Sequence, residues 1–162
     1  ILTPGGELRA AVTRAITRGV RLDVGHGSAS FSFAVAKQAI GLGILPHTIS
    51  SDIYCRNRID GPVRSLANVM SKFLAIGLSL PQVIACVTEH AADGLRLAKK
   101  GRLAVGFDAD LTIFDLRRQP VLFTDAENSA LQADQLLTPL AAIRAGRGYL
   151  TEQGRAEHVF DL

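Results

Sequence analysis

The amino-acid sequence predicts an α/β fold, on three observations. Residues 21–52 read as strand, helix, strand; amphipathic helices follow; and near Lys99 the pattern changes to short apolar runs punctuated by glycine. Taken in order, residues 6–18 come first. Leu8, Ala11, Val12, Ala15 and Ile16 recur at helical spacing, and Gly19 ends that helix. Val20, Leu22 and Val24 then alternate with polar residues as a strand does, and Gly25-His26-Gly27 stops it. Ser28 or Ser30 can cap a helix whose apolar positions are Phe31, Val35, Ala39 on one side and Phe33, Ala36, Ile40 on another, closed by Gly41 and Gly43. Residues 44–52 are short, rich in β-branched side chains and opened by Pro46, so they read as a second strand. Two strands joined by one helix are most simply parallel neighbours, with His26 and Asp52 at the same sheet edge.

Beyond Asp52 the segment Ile53–Pro62 reads as a polar loop, from which Arg56, Asn57 and Arg58 could reach an anionic group. Pro62 opens a helix with Leu66, Val69, Met70, Phe73 and Leu74 as core positions, ended by Gly77. Ser79 and Pro81 start another, with Val83, Ile84 and Val87 inward, and Thr88 caps a short helix to Leu97 in which His90 is structural. From there the apolar runs 103–105, 111–114, 121–123, 141–144 and 149–150 predict short strands of an antiparallel β unit. His158 has no partner in view.

The carboxyl edge of parallel strands is where barrels and open α/β sheets place their chemistry, which singles out His26 and Asp52. Each also has a plainer role open to it. A histidine at a strand end can be a structural hydrogen-bonding group, and an aspartate after Ser-Ser can cap the next helix or turn. Asp108 and Asp110 look like ligands only in isolation. Composition narrows the class. Hydrophobic residues make up 48% and charged residues 20% of the 162, as in a soluble globular protein. The net charge of +3 is spread over scattered Lys and Arg, and there is no Trp, so nucleic-acid binding is not suggested. No apolar run is long enough to span a membrane. Two cysteines, Cys55 and Cys86, are too few for a disulfide framework and match no zinc spacing, so a reducing cytoplasm is the expected compartment.

Four motifs occur in order: His-Gly-x-x-Ser-Phe at 26–31, Pro-x-Thr-Ile-Ser-Ser-Asp at 46–52, Val-Met-Ser-Lys-Phe-Leu at 69–74 and Gly-Phe-Asp-Ala-Asp-Leu at 106–111. Together they resemble the C-terminal part of the amidohydrolase superfamily, in its dihydroorotase-like and amidohydrolase/deacetylase branch, over nearly the whole chain. The resemblance implies the closing βα units of a TIM-like (β/α)8 barrel over residues 1–98 and a flanking β-sandwich subdomain over 99–162. It implies a hydrolase of amide, cyclic-amide or ester bonds that uses one or two divalent metals, usually zinc, at the strand ends. Asp52 matches the family's last metal-binding aspartate, a ligand that also acts as general base and proton shuttle. His26 matches the histidine of the family's His-Gly strand, a metal ligand or a group that polarises the scissile carbonyl. In the family Asp108 and Asp110 hold a turn.

The sequence departs from the family pattern in places. Tyr54 stands where the family commonly has a histidine, so Tyr54, Arg56 and Arg58 are candidate substrate contacts. Glu89–Ala92 replaces Asn-Pro-Ala. Neither a His-x-His pair nor a bridging lysine in a matching context is present. Family members run to roughly two or three times this length, in keeping with a ~250-residue barrel. The chain begins Ile-Leu-Thr-Pro, without methionine, and is read as a C-terminal portion that is inactive without its N-terminal complement. The expected partners are a small-molecule substrate, that N-terminal part, and a second copy covering open strand edges in a homo-oligomer. The competing reading is a non-catalytic barrel scaffold or assembly subunit.

Overall fold

The computed structural model describes residues 1–157; His158 lies outside the described residues. Helix α1 (Ala10–Thr17) leads into strand β1 (Asp23–Gly25), helix α2 (Phe33–Gly41) and strand β2 (Thr48–Ser50). β1 and β2 pair in parallel, Asp23 opposite Thr48 and Gly25 opposite Ser50, which is the expected βαβ unit. The pairing runs past the strands, since the His26 amide donates to Ser50 O at 3.2 Å and the Gly27 amide to Ser51 O at 3.3 Å. Alternation along these strands sorts their side chains. Asp23 accepts hydrogen bonds from Thr48 Oγ1 (2.6 Å) and Ser50 Oγ (2.9 Å) on one face. Ile49 is buried on the other, where Val24 packs against the core.

Helices α3 (Cys55–Asp60), α4 (Leu66–Ala75), α5 (Leu80–Val87) and α6 (Glu89–Gly94) follow. α3 occupies what the sequence presents as a polar loop. Asn57 is the reason: it is buried, its Oδ1 accepts from the Tyr54 amide at 2.9 Å and its Nδ2 donates to Asp52 O at 2.9 Å. This cap winds the turn, and it takes Asn57 away from solvent. α4 starts four residues later than Pro62 suggests, because Ser65 Oγ takes the Asn68 amide at 3.0 Å. His90 is structural as expected: its ring stacks on His47 with centroids 4.5 Å apart, and its Nδ1 donates to His47 O at 3.0 Å.

The last third forms one antiparallel sheet of β3 (Leu111–Thr124), β4 (Ala130–Arg144) and β5 (Arg147–Leu150), in that order, before helix α7 (Glu152–Ala156). Two expected short strands are the ends of β3, which runs through Gln119-Pro120 by a register irregularity between Arg118 and Val121. A bulge accommodates a proline that has no N–H for the ladder. The run 103–105 joins no strand, and Leu103 and Val105 stand exposed. Asp108 and Asp110 hold a turn as expected, through Lys100 and through the Ala145 amide on Asp110 Oδ1 at 3.0 Å. Among the described residues beyond 98 the strands form this one three-stranded sheet, and α4 packs against its β4 strand.

Polar anchors set that packing. Ser71 of α4 accepts from the Leu137 amide at 2.9 Å and donates to Ala67 O at 2.8 Å. Phe31, Phe33, Ile49, Val69 and Phe73 share one buried cluster with Phe123 and Leu137, so the core is continuous across residues 98 and 99. α2 does not begin on a serine cap, for the Ser32 side chain makes no cap bond. The donor is served from across the core, where Asp125, in the β3–β4 turn, accepts from the Phe33 amide at 2.9 Å. Its other oxygen accepts from Glu127 and Ser129 amides at 2.9 and 2.8 Å. Burial raises the carboxyl's pKa, but the three backbone amides outweigh it, and the net displacement is downward.

A group whose folded pKa is depressed stabilises above its unfolded pKa of about 3.9, and that contribution disappears as pH falls through the folded value. Asp125→Asn should therefore lower unfolding free energy at pH 7 by about 2–4 kcal/mol, since an amide cannot accept at both atoms. The difference from wild type should shrink toward zero in strong acid. Urea titrations at pH 7 and pH 2.5 check both parts.

Candidate functional site

Asp52 ends β2 with a left-handed backbone, φ 48°, which turns the chain sharply out of the strand. Its carbonyl is held by Asn57, while its carboxylate is exposed and takes part in no hydrogen bond among the described residues. Two glycines of the neighbouring strand make room for it. A Cβ on Gly25 would stand 3.8 Å from Asp52 Cβ, and one on Gly27, whose φ is +53°, would stand 2.5 Å from Asp52 Oδ2. The carboxylate thus overhangs a bare backbone at the carboxyl ends of two parallel strands. It continues the polar face of Asp23, Thr48 and Ser50.

His26 lies on the opposite face. It is 0% exposed and its ring packs on Phe31 with centroids 4.6 Å apart. Nδ1 donates to Gly27 O at 2.9 Å, which leaves Nε2 as the acceptor for the Lys72 ammonium at 2.8 Å. Burial holds this imidazole below its usual 6.5, and Lys72 adds to that, against the opposing pull of Gly27 O and Asp125. Both nitrogens are therefore engaged, on a neutral ring facing the core. The structure sets the two candidate ligands, His26 and Asp52, on opposite faces of the strand pair. The cause is strand alternation, which sends residues 24 and 26 one way and residues 50 and 52 the other. Asp52 fits a metal as a single carboxylate ligand, and the cradle over Gly27 leaves it space. Among the described residues, no group of three or more His, Cys, Asp and Glu could hold a metal, whereas a zinc site takes three protein ligands or more.

Tyr54 and Arg56 do meet. They line an open cleft of about 390 Å³ with Ser28, Asp60, Pro62 and Asn128. Tyr54 Oη and Ser28 Oγ are 2.9 Å apart, a hydrogen bond that joins the residue after β2 to the loop after β1. Arg58, exposed on α3, is not part of that wall. Sequence reasoning passes over Lys72 and Asp125, the two buried charges next to the cleft. For Lys72 a signal exists in principle, a charge between the core positions Met70 and Phe73, where the helix has no solvent side. The structure buries it at 1% exposure, and burial lowers its pKa to about 8. Among the described residues no helix is long and apolar enough to cross a membrane.

Residues 8–144 match the Amidohydrolase family. A deacetylase of Enterococcus faecalis is 40% identical over 136 residues, which is 84% of this chain and 37% of that protein. A deacetylase of Brucella anthropi is 42% identical over 125 residues, 77% of this chain and 31% of that protein. Among solved structures, an adenine deaminase superposes with TM-score 0.90 at 37% identity, covering 93% of this chain and 41% of that one. A dihydroorotase superposes with TM-score 0.79 at 36% identity, covering 86% and 38%. The chain thus spans roughly two fifths or less of the length of these relatives. With a match over most of its residues, a parallel βαβ unit and an aspartate free at its carboxyl edge, this chain belongs to the amidohydrolase family.

Proposed function

We propose that this chain is part of a metal-dependent hydrolase that cleaves carbon–nitrogen bonds, of the amide or cyclic-amide kind, with esters as accessible analogues. The observation that carries the reading is the Asp52 carboxylate, held unbonded over Gly27 at the strand ends of an amidohydrolase-family chain. The relatives add support, since deacetylase, adenine deaminase and dihydroorotase are all names for hydrolysis at carbon–nitrogen bonds.

In this reading residues 1–98 are the closing βα units of a (β/α)8 barrel, and 99–162 belong to a flanking β unit. The parallel β1–β2 pair supports the first part, and the long β3–β4–β5 sheet the second. Asp52 is one metal ligand, and the others come from elsewhere, because the described residues bring too few donors together. A bound divalent cation such as zinc would supply acidification of a water toward a pKa of about 7. Asp52 would hold the proton of the attacking water on a carboxylate oxygen and return it to the leaving nitrogen. Gly27 keeps the space in which the carboxylate can swing between the two. His26 serves by fixing the Gly27 carbonyl, in place of the ligand role its motif suggests. In the cleft Tyr54 Oη and Ser28 Oγ offer hydrogen bonds to the substrate, and Arg56 suits an anionic group on it.

Zinc content by plasma mass spectrometry, together with hydrolysis of 4-nitroacetanilide, tests this on the protein that carries these residues. One or two zinc ions per chain with turnover are expected. No metal and no turnover after zinc-replete expression would leave the non-catalytic scaffold. Asp52→Asn should lower kcat about 10²–10⁴-fold, the usual worth of a positioned acid–base group. Gly27→Ala should act through Asp52. Its added Cβ collides with the carboxylate, and misplacement by about 1 Å can lower turnover roughly 10²-fold. Gly27→Ala at wild-type kcat would refute the cradle.

A further inference from the structure

The Lys72 ammonium is buried with no carboxylate bound to it. Its three N–H groups meet three acceptors: Pro62 O at 2.7 Å, Thr124 O at 2.7 Å and His26 Nε2 at 2.8 Å. Asp125, the nearest acid by chemistry, spends its oxygens on backbone amides. An apolar side chain of the same volume would fill this part of the core without the cost of burying a charge. What the ammonium does that an apolar group cannot is bind two backbone carbonyls and the His26 ring, from three segments, at once.

Those segments are the walls of the cleft. Pro62 lines it directly, beside Gly61 and Asp60. Thr124 immediately precedes Asp125 and Ala126, which line it together with Asn128. His26 passes the constraint on through Nδ1 to the carbonyl of Gly27, and the next residue, Ser28, lines the cleft and bonds Tyr54. Gly27 is also the residue whose bare backbone accommodates the Asp52 carboxylate. One ammonium therefore sets the spacing of three loops far apart in sequence and, through one of them, the seat of the proposed base.

We propose that Lys72 is a positioning residue: it draws the 26–28, 61–62 and 124–128 segments together so that the cleft lined by Tyr54 and Arg56 has its binding shape, without itself touching substrate. This rests on the hydrolase reading for its kinetic consequence alone; the structural consequence stands without it. Ser71, the neighbouring residue, ties the same helix to β4 through the Leu137 amide but reaches no part of the cleft, so Ser71→Ala is a matched control for general loosening of the α4–sheet contact.

The experiment compares Lys72→Met, Ser71→Ala and wild type in the protein that carries these residues. Hydrogen exchange followed by mass spectrometry should show faster exchange over 26–28, 61–64 and 124–129 together in Lys72→Met, and not in Ser71→Ala. With 4-nitroacetanilide, KM should rise about tenfold or more in Lys72→Met with kcat within about threefold, while Ser71→Ala keeps the wild-type KM and loses only thermal stability. A Lys72→Met protein that melts earlier yet keeps wild-type exchange over the three segments would overturn the proposal. So would acceleration spread evenly over the chain. If wild type turns nothing over, the hydrolase reading fails and the exchange comparison alone decides. If Lys72→Met does not fold, Lys72→Gln, which keeps two N–H donors, is measured in the same way. Failure of both to fold would make Lys72 a general core group and refute the assignment.

Discussion

The parallel pairing of β1 with β2 is the constraint on which the site depends. Because successive residues of a strand point to opposite faces, that one register decides the surroundings of every side chain from Asp23 to Asp52. Asp23, Thr48, Ser50 and Asp52 fall on a polar face, joined by the hydroxyl bonds to Asp23. Val24, His26 and Ile49 fall on the face that meets Phe31 and the core. Small residues complete the arrangement, since any side chain at Gly27 would occupy the place of the Asp52 carboxylate. A slip of one residue would bury Asp52 and expose His26.

Under the apolar face the core is held by a polar clasp in addition to hydrophobic packing. Lys72, His26 and Asp125 are all nearly inaccessible to water, yet nearly every polar atom they bring finds a partner. Buried networks stabilise only when so satisfied, and they then specify one arrangement among several that an oily core would tolerate. Here the arrangement specified is the meeting of the βαβ unit with the β3–β4 turn. The Asp125 carboxylate stands in for the missing cap of α2, and the turn that carries it forms one wall of the cleft.

Much of the secondary structure was legible in the sequence, because it rests on local rules. The βαβ order, the parallel pairing, α1, α4, α5 and the onset of antiparallel sheet all follow from periodicity and glycine punctuation. The errors arise where a particular side-chain bond or strand pairing, not periodicity, decides. The loop after Asp52 is helical because Asn57 bonds backward to Tyr54 and Asp52; β3 passes Pro120 because a bulge absorbs it; the run 103–105 finds no pairing strand. The candidate site residues Asp52, Tyr54 and Arg56 come from motif and position, and the structure puts Tyr54 and Arg56 on one cleft. The face of His26 is open to the same alternation argument, since it shares the parity of Leu22 and Val24 and not that of Asp23. Lys72 and Asp125 are invisible to local rules, for three of their partners, His26, Thr124 and Phe33, lie 46 to 92 residues away along the chain.

These placements divide labour within the chain. The polar face carries one acidic group at the strand ends and little else, so this part of the protein supplies a single proton carrier to the proposed chemistry. The cleft on the other side of Tyr54 is built from three loops, and Tyr54 forms part of its wall. Its phenol presents a single hydroxyl, and here that hydroxyl already leans on Ser28. Binding a substrate through Tyr54 then requires either sharing that bond or breaking it. The second course leaves both hydroxyls in need of new partners, which the ligand or solvent must supply. The groups best able to share it accept one hydrogen bond and donate another, as an amide does, which joins the chemistry proposed at Asp52 to the recognition available beside it.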